Sequence, residues 1–230
     1  MHLINRGEEG IEAEIKRKNF PAGSCIVIGV DVGGPSKGFH AVALRDGCYR
    51  DKFVAHDAAS VSTWCNKMGA RIVGIDAPCH WSATGRSRST ERALAAEGIF
   101  SFTTPTQEAA TSKPFYQWML NGAELYRIIE RHYLLFNGHN TSSGSICFET
   151  FPHAVACALA GRVVSARQKS TIRRKLLRTA GMDTSELTNI DTVDAALCAL
   201  TAHCFLTGNI KTYGNAAEGF IVVPGSPLRR

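Results

Sequence analysis

The stretch CIVIGVDVGG, residues 25–34, is an almost continuous run of apolar, mostly β-branched residues that ends in an aspartate and two glycines. A run of this kind is typical of a central strand that is covered on both faces. A second stretch of the same character, ARIVGIDAP at residues 70–78, ends in Asp76 and is stopped by Pro78. The sequence therefore predicts two core strands, each with an aspartate, Asp31 or Asp76, at its carboxyl end.

The segments around these two strands predict the rest of the sheet. FHAVALRDG at residues 39–47 and DKFVAHD at residues 51–57 follow the first strand at turn-length spacing, as in an antiparallel meander. SICFETFP at residues 145–152 predicts a fifth strand, and EGFIVVPG at residues 218–225 predicts an additional edge strand. Helical patterns fill the intervals. We predict an α/β fold with a central mixed five-stranded sheet, three antiparallel strands followed by parallel strands, and helices on both faces.

Length and composition favour one domain. The chain has 230 residues, of which 44% are hydrophobic, and this is enough for a full core. We assign residues 23–230 to a single domain and residues 1–22 to a polar N-terminal extension. Neither a long apolar run nor a signal-peptide pattern is found, and the eight cysteines form no C-x-x-C pair. We therefore expect a soluble, cytoplasmic protein with reduced thiols and no membrane partner.

Three acidic residues stand where strands are predicted to end. Right-handed crossover connections would place the fourth strand beside the first, so that Asp31 and Asp76 become neighbours at the carboxyl edge of the sheet. Glu149 stands at the corresponding end of the fifth strand. Carboxylates this close raise each other's pKa by repulsion, and a divalent cation removes the repulsion. The arrangement therefore predicts oxygen ligands for Mg²⁺ or Mn²⁺.

The stretch NIDTVDAALCAL, residues 189–200, adds two acids at the start of an apolar helical run. Asp191 can be the N-cap and Asp194 the N3 residue, which is the commonest use of such a pair. Alternatively, the helix points its N-terminus toward the same edge of the sheet, and both acids join the cluster. Two Mg²⁺ or Mn²⁺ ions in such a cluster can activate a water molecule and stabilise the leaving oxygen in phosphodiester hydrolysis.

Taken together, these motifs resemble a known superfamily. The element order, the D-x-G-G after the first strand, the acid after the fourth strand and the D-x-x-D-A entering the last helix are similar to the RNase H-like superfamily, particularly the Holliday-junction resolvases. The segments VIGVDVGG, VGIDAP, STERAL, ETFPHAVACALAG, DTVDAALCALTA and YGNAAEGFIVVP more closely resemble a family of uncharacterised bacterial and archaeal proteins described as predicted nucleases of that fold. The similarity extends over residues 25–224.

The resemblance implies a metal-dependent nuclease that acts on DNA or RNA. Asp31, Asp76 and Asp194 match the metal ligands of the resolvases, and Asp191 is the candidate for a fourth ligand. The resolvases carry a glutamate where this chain has the shorter Asp76. Glu149 has no assured counterpart, and it can be a ligand, a general base or the partner of a basic residue. All five acids are therefore candidate catalytic residues.

Five further residues are candidates for binding the substrate. Gly33 and Gly34 either let a phosphate approach the backbone or form a tight turn. Lys37 can contact a scissile phosphate or remain a solvated lysine of the loop. Lys169 and Arg173, one turn apart on a basic helix, can lie on one flank toward the acidic edge and hold a phosphate backbone. The net charge of +6 permits a polyanionic partner without requiring one.

Two other functions stay open beside the nuclease. An ATP-binding phosphotransferase of the actin and sugar-kinase kind has the same strand topology and often a similar D-x-G-G turn, but it needs two copies of the fold, and the sequence has one meander. A non-catalytic binding module would use the acids only for helix caps and ion pairs. Assembly as a homodimer also stays open. The primary prediction is a metal-dependent nuclease with nucleic acid as its partner.

Overall fold

The structure is a computed structural model that describes residues 24–139 and 144–225. The polar extension predicted for residues 1–22 lies outside the described residues. Within them the chain forms one mixed β-sheet with helices packed on both faces, which confirms the predicted α/β class. The sheet has eight strands, so the predicted number of five is wrong.

The first four strands are those that the apolar runs predict. Strands β1 (Ile26–Val32), β2 (Phe39–Arg45) and β3 (Cys48–Ala55) form an antiparallel meander. Strand β4 (Ala70–Asp76) pairs in parallel with β1, on the side opposite to β2. Strand β1 is therefore central and buried on both faces, as its continuous apolar sequence requires.

The additional strands lie beyond β4. A two-residue strand, β5 (Leu134–Leu135), and β6 (Ile146–Glu149) are parallel, and the C-terminal hairpin consists of β7 (Ile210–Asn215) and β8 (Gly219–Pro224). The strand order is β3-β2-β1-β4-β6-β8-β7, with β5 paired to β6. Strand β8 is thus internal, and the prediction that it forms an edge is wrong. The edge belongs to β7, which has only one buried residue, Tyr213, and so carries no apolar run to signal it.

Seven α-helices connect and cover the strands of the described sheet. Helices α1 and α4 pack on one face, and α5, α6 and α7 pack on the other. Their bounds are α1 Ala58–Met68, α2 Ser89–Ala96, α3 Gln107–Thr111, α4 Gln117–Ile129, α5 Pro152–Ala160, α6 Lys169–Thr179 and α7 Ile190–Leu206.

Helix α7 lies directly on the backbone of the central strands because they carry glycines at the contact. A Cβ on Gly29 of β1 would lie 2.0 Å from the backbone nitrogen of Ala199 and 2.1 Å from the backbone oxygen of Ala195. A Cβ on Gly74 of β4 would lie 2.8 Å from the backbone oxygen of Cys198. Since side chains alternate along a strand, the residue two positions after each glycine faces α7 as well. Those residues are the two aspartates at the strand ends.

Candidate active site

Asp31 and Asp76 lie side by side at the carboxyl ends of β1 and β4. The two residues are opposite each other in the parallel register of these strands, which confirms the predicted neighbourhood. Their carboxyl groups are close enough to interact, which lowers the pKa of Asp31 and raises the pKa of Asp76. Such an interaction between two buried acids favours a state in which one of them keeps its proton.

Both acids have pKa values well above the ordinary value of an aspartate. Burial, followed by the charges of Asp194 and Asp191, raises the pKa of Asp31 to about 8. Burial and the charge of Asp31 raise the pKa of Asp76 well above its usual range. The strand ends therefore hold a buried acid pair whose ionised forms are disfavoured, which is the condition that a cation would relieve.

The first turn of α7 brings the other two predicted acids to this edge, but neither acid has the capping position expected for it. The N-cap is Asn189, whose side chain accepts a hydrogen bond of 2.8 Å from the backbone N–H of Thr192. Asp191 is therefore the second residue of the helix and not its N-cap, and the capping interpretation of the acid pair is wrong. Asp191 instead accepts a hydrogen bond of 2.8 Å from Nζ of Lys37.

Asp194 forms an ion pair with Arg173 of α6. Both side chains are buried, with 8% and 7% of their surface exposed. Arg173 lies on the flank of α6 toward the acidic edge, as predicted, but it is buried and paired with Asp194, and its contact with a phosphate stays a prediction. The apolar residues beside it on α6 pack against the core, and the helix thereby turns Arg173 inward to the acids. Lys169, one turn earlier, is exposed and lines the cavity beside the acids.

The two glycines after β1 differ in what the fold demands of them. A Cβ on Gly33 would lie 2.6 Å from Cβ of Lys37, so the tight turn itself requires glycine there. A Cβ on Gly34 would meet nothing within 4 Å. Neither residue has a positive φ. Gly34 is consequently the one whose open backbone leaves room for a ligand to approach.

Glu149 stands apart from the acidic cluster. It follows Phe148, which packs on the α7 side of the sheet, and alternation along β6 directs it to the other side. Both of its oxygens are bound by Arg88, at 2.6 Å from Nη2 and 2.9 Å from Nη1, and the backbone N–H of Cys79 donates to Oε2 at 2.9 Å. Of the three roles predicted for Glu149, the structure shows the partner of a basic residue.

Arg88 is the residue of this region that sequence reasoning missed. It belongs to the run TGRSRSTER, residues 84–92, where nothing distinguishes it from its solvated neighbours. In the structure it is 1% exposed, and it also donates to Glu91 at 3.1 Å. Its position as N-cap of α2, with Glu91 at the third helical position, was the only local signal.

The acids line one cavity of about 380 Å³. Basic residues and an aromatic wall line the same cavity, and its lining includes Asp31, Asp76, Asp191, Asp194, Lys37, Lys169, Arg173, Phe102 and Trp118. Cavities of this size are typical of sites for small molecules or for a single unit of a polymer. The predicted site residues therefore meet at a concave surface at the carboxyl edge of the sheet.

The donor set is suited to a hard divalent cation, although two of its acids are already neutralised. Carboxylate oxygens are the ligands that Mg²⁺ and Mn²⁺ prefer, and among the described residues the ion pairs of Lys37 and Arg173 are with Asp191 and Asp194, not with Asp31 or Asp76. Within residues 24–139 and 144–225, no three His, Cys, Asp or Glu side chains are disposed as a ready metal-binding group. A divalent ion would therefore compete with Arg173 for Asp194.

These features define an α/β protein with an acidic cluster at the carboxyl edge of a mixed sheet. The chain belongs to the family described as "Protein of unknown function (DUF429)", whose model matches residues 29–218 and so includes every acid of the cluster. Comparison with curated proteins and with solved structures gives no significant match. None of the helices in the described ranges combines the length and the apolar character needed to cross a bilayer.

Proposed function

We propose that the protein is a metal-dependent nuclease that hydrolyses phosphodiester bonds in DNA or RNA. The observation that carries the proposal is the buried pair of Asp31 and Asp76, which lie side by side at the ends of adjacent parallel strands and have raised pKa values. The predicted RNase H-like fold is part of the proposal. It is supported by the order of the meander, β4 and β6 in the sheet.

Asp31, Asp76 and Asp194 would hold Mg²⁺ or Mn²⁺, with Asp191 next to them. When bound, two such ions lower the pKa of an attacking water and stabilise the leaving oxygen. The cost of burying the acids without a cation is what makes this site receptive to divalent ions. Arg173 would leave Asp194 on metal binding and become available to a phosphate oxygen in the same cavity.

The remaining residues would position the substrate and the acids. Lys169 is exposed on the cavity wall and can contact a phosphate as a point charge. The backbone at Gly34 is open to a phosphate oxygen. Glu149 acts through the loop after β4, because its bond to the Cys79 N–H holds that loop, and with it Asp76, in place.

The proposal is tested by incubating the purified protein with single-stranded and duplex DNA and RNA in Mg²⁺, in Mn²⁺ and in EDTA. We expect cleavage that requires either metal and is lost in Asp31→Asn, because a neutral amide does not balance the charge of the ion. Asp51→Asn is the matched control, since Asp51 is an exposed acid of β3 outside the cavity. Thermal melts establish that both variants are folded. Undiminished cleavage by Asp31→Asn would overturn the assignment.

A further inference from the structure

Aromatic side chains lie in and beside one wall of the acidic cavity: Phe102 and Trp118 line it, and Phe115 lies next to Phe102. Phe102 is 62% exposed and Phe115 56% exposed, although large apolar side chains are usually buried. Their ring centroids lie 5.4 Å apart in an edge-to-face arrangement, and Phe102 lies 6.4 Å from Trp118. Phe115 precedes Trp118 by three residues, a spacing typical of one face of a helix that packs on a core, yet it is exposed.

Only part of this wall is committed to the fold. Trp118 is partly buried and packs against the core cluster beneath α4, so its position is anchored. Phe102 and Trp118 both line the cavity that contains the acids. The exposed part of Phe102 is therefore a flat apolar surface in the same cavity as the acids.

A second observation comes from the residue before Phe102. Ser101 lines the same cavity, and its hydroxyl oxygen is buried and has no hydrogen-bond partner among the described residues. An unpartnered buried hydroxyl costs free energy unless a ligand or water completes it. The aromatic wall thus has a polar group at its edge.

The surroundings indicate what the wall binds. Acids suited to a divalent ion and the exposed Lys169 line the same cavity as the rings, so an occupant carries both a phosphate and a flat apolar group. A nucleotide has both. In a duplex the faces of the bases are stacked on one another, and only an unpaired or extruded base offers its face to an aromatic side chain.

We infer that the wall of Phe102 and Trp118 stacks an unpaired nucleobase of a single-stranded substrate, and that the Ser101 hydroxyl hydrogen-bonds to the edge of that base. This inference rests on the proposed nuclease function and deepens it. It restricts the substrate to single strands, or to the unpaired positions of structured nucleic acid. DNA and RNA share this chemistry.

The test measures binding without metal, so that its outcome does not depend on cleavage. Fluorescence anisotropy in EDTA compares labelled single-stranded oligo(dT) and oligo(U) with the corresponding duplexes. We expect the single strands to bind at least about tenfold more tightly than the duplexes. Phe102→Leu should weaken single-strand binding about tenfold, because leucine keeps the apolar volume and loses the ring that stacks on the base. The two single strands distinguish DNA from RNA as the natural source.

Phe100→Leu is the matched control. Phe100 is 74% exposed in the same loop, does not line the cavity, and makes no ring contact within the described part of the chain. Its substitution should leave binding unchanged. Ser101→Ala should reduce the difference in affinity between one base and another while leaving the stacking contribution in place.

Three results would overturn the inference. Equal affinity for single strands and duplexes would show that the protein does not select an unpaired base. An unchanged affinity of Phe102→Leu would show that this ring does not stack on a base. Sedimentation showing a dimer that Phe102→Leu dissociates would assign the wall to a second copy of the chain. Retained metal-dependent cleavage with any of these results would leave the nuclease proposal standing. Single-strand binding that depends on Phe102, without cleavage under any condition, would refute the nuclease proposal alone.

Discussion

Arg173 shows how the acidic cluster is kept folded without a metal. Its guanidinium neutralises Asp194 inside the protein, beside two further acids that have raised pKa values. Burial raises the pKa of Asp194, while Arg173 acts in the opposite direction. A cluster that would otherwise repel itself is therefore stable because a buried cation and the raised pKa values of the other acids reduce its charge.

Removing the partner of this buried cation should be costly. We expect Asp194→Asn to lose about 3 kcal/mol of unfolding free energy in EDTA, because it leaves Arg173 buried without an opposite charge. Chemical denaturation measures the loss. The double variant Asp194→Asn with Arg173→Met should recover part of it, since both charges are then absent.

Asp191→Asn provides the comparison for this experiment. Asp191 pairs with Lys37, whose side chain is 58% exposed, and such surface pairs contribute little to stability. Its loss should therefore be below about 1 kcal/mol. Equal losses of unfolding free energy in Asp191→Asn and Asp194→Asn would show that burial of Arg173 does not require the charge of Asp194.

The pair of Asp31 and Asp76 should give the metal-free protein a characteristic pH dependence. The pKa of Asp31 is raised from 3.8 to about 8, so between these values the folded protein binds a proton that the unfolded chain has released. The unfolding free energy therefore falls as the pH rises from about 4 to about 8. Denaturation in EDTA at several pH values measures the slope.

Asp31→Asn isolates this contribution from that of other groups. The histidines His40, His153 and His203 have pKa values lowered by burial, so they destabilise the fold as the pH falls and act in the opposite direction. They are present in both proteins, whereas the acid pair is present only in the wild type. The variant should show a flatter decline above pH 6.5, where the histidines contribute little. An identical slope in the two proteins would mean that Asp31 binds no additional proton in the folded wild type.

The close packing of α7 on β1 is the contact between elements that places Asp194 near Asp31. Gly29→Ala would drive a methyl group to 2.0 Å from the backbone of α7. Because a helix backbone cannot yield as a flexible side chain does, we expect a loss of about 3 kcal/mol or more. Gly34→Ala is the matched control, with open space around its Cβ, and should retain wild-type stability. A Gly29→Ala protein as stable as wild type would show that α7 is free to move.

The sequence predicted those elements whose pattern is dominated by burial. Strands β1 and β4 are continuous apolar runs, and their parallel pairing followed from the handedness of crossovers, so Asp31 and Asp76 could be placed together. Strand β7 could not be found this way, since an exposed edge strand with one buried residue has no apolar pattern. The cap of α7 was misplaced because Asn189, Asp191 and Thr192 are all acceptable near a helix start.

Contacts between distant segments were the part of the site that the sequence did not determine. Arg173 and Asp194 are 21 residues apart, and Arg88 and Glu149 are 61 apart. Each arginine lies in a basic run that is indistinguishable from a solvated surface until packing selects one side chain for burial. The aromatic wall was missed for the converse reason, because nothing in the sequence distinguishes an exposed ring such as Phe102 from the buried aromatic residues of a core.

The distribution of charge over the protein agrees with a polyanionic partner. The chain has a net charge of +6, yet the cavity concentrates acids. For the proposed nucleic-acid substrate, the net positive charge favours the approach of phosphates, and binding of a phosphate within the cavity strengthens when cations neutralise the carboxylates. Lys169 is exposed at the start of α6 and also lines the cavity, so it belongs both to the surface and to the site.

This position gives Lys169 a measurable effect on binding. If it contacts one phosphate, Lys169→Ala should weaken binding of all sequences alike and reduce the slope of log affinity against log salt by about 0.7 for a single strand. Lys175→Ala is the matched control, because Lys175 is exposed on the same helix but does not line the cavity. Its slope should equal that of the wild type. Titrations at several salt concentrations in EDTA measure the three slopes. Equal slopes in the wild type and both variants would show that Lys169 is a solvated surface residue and that other groups hold the phosphate.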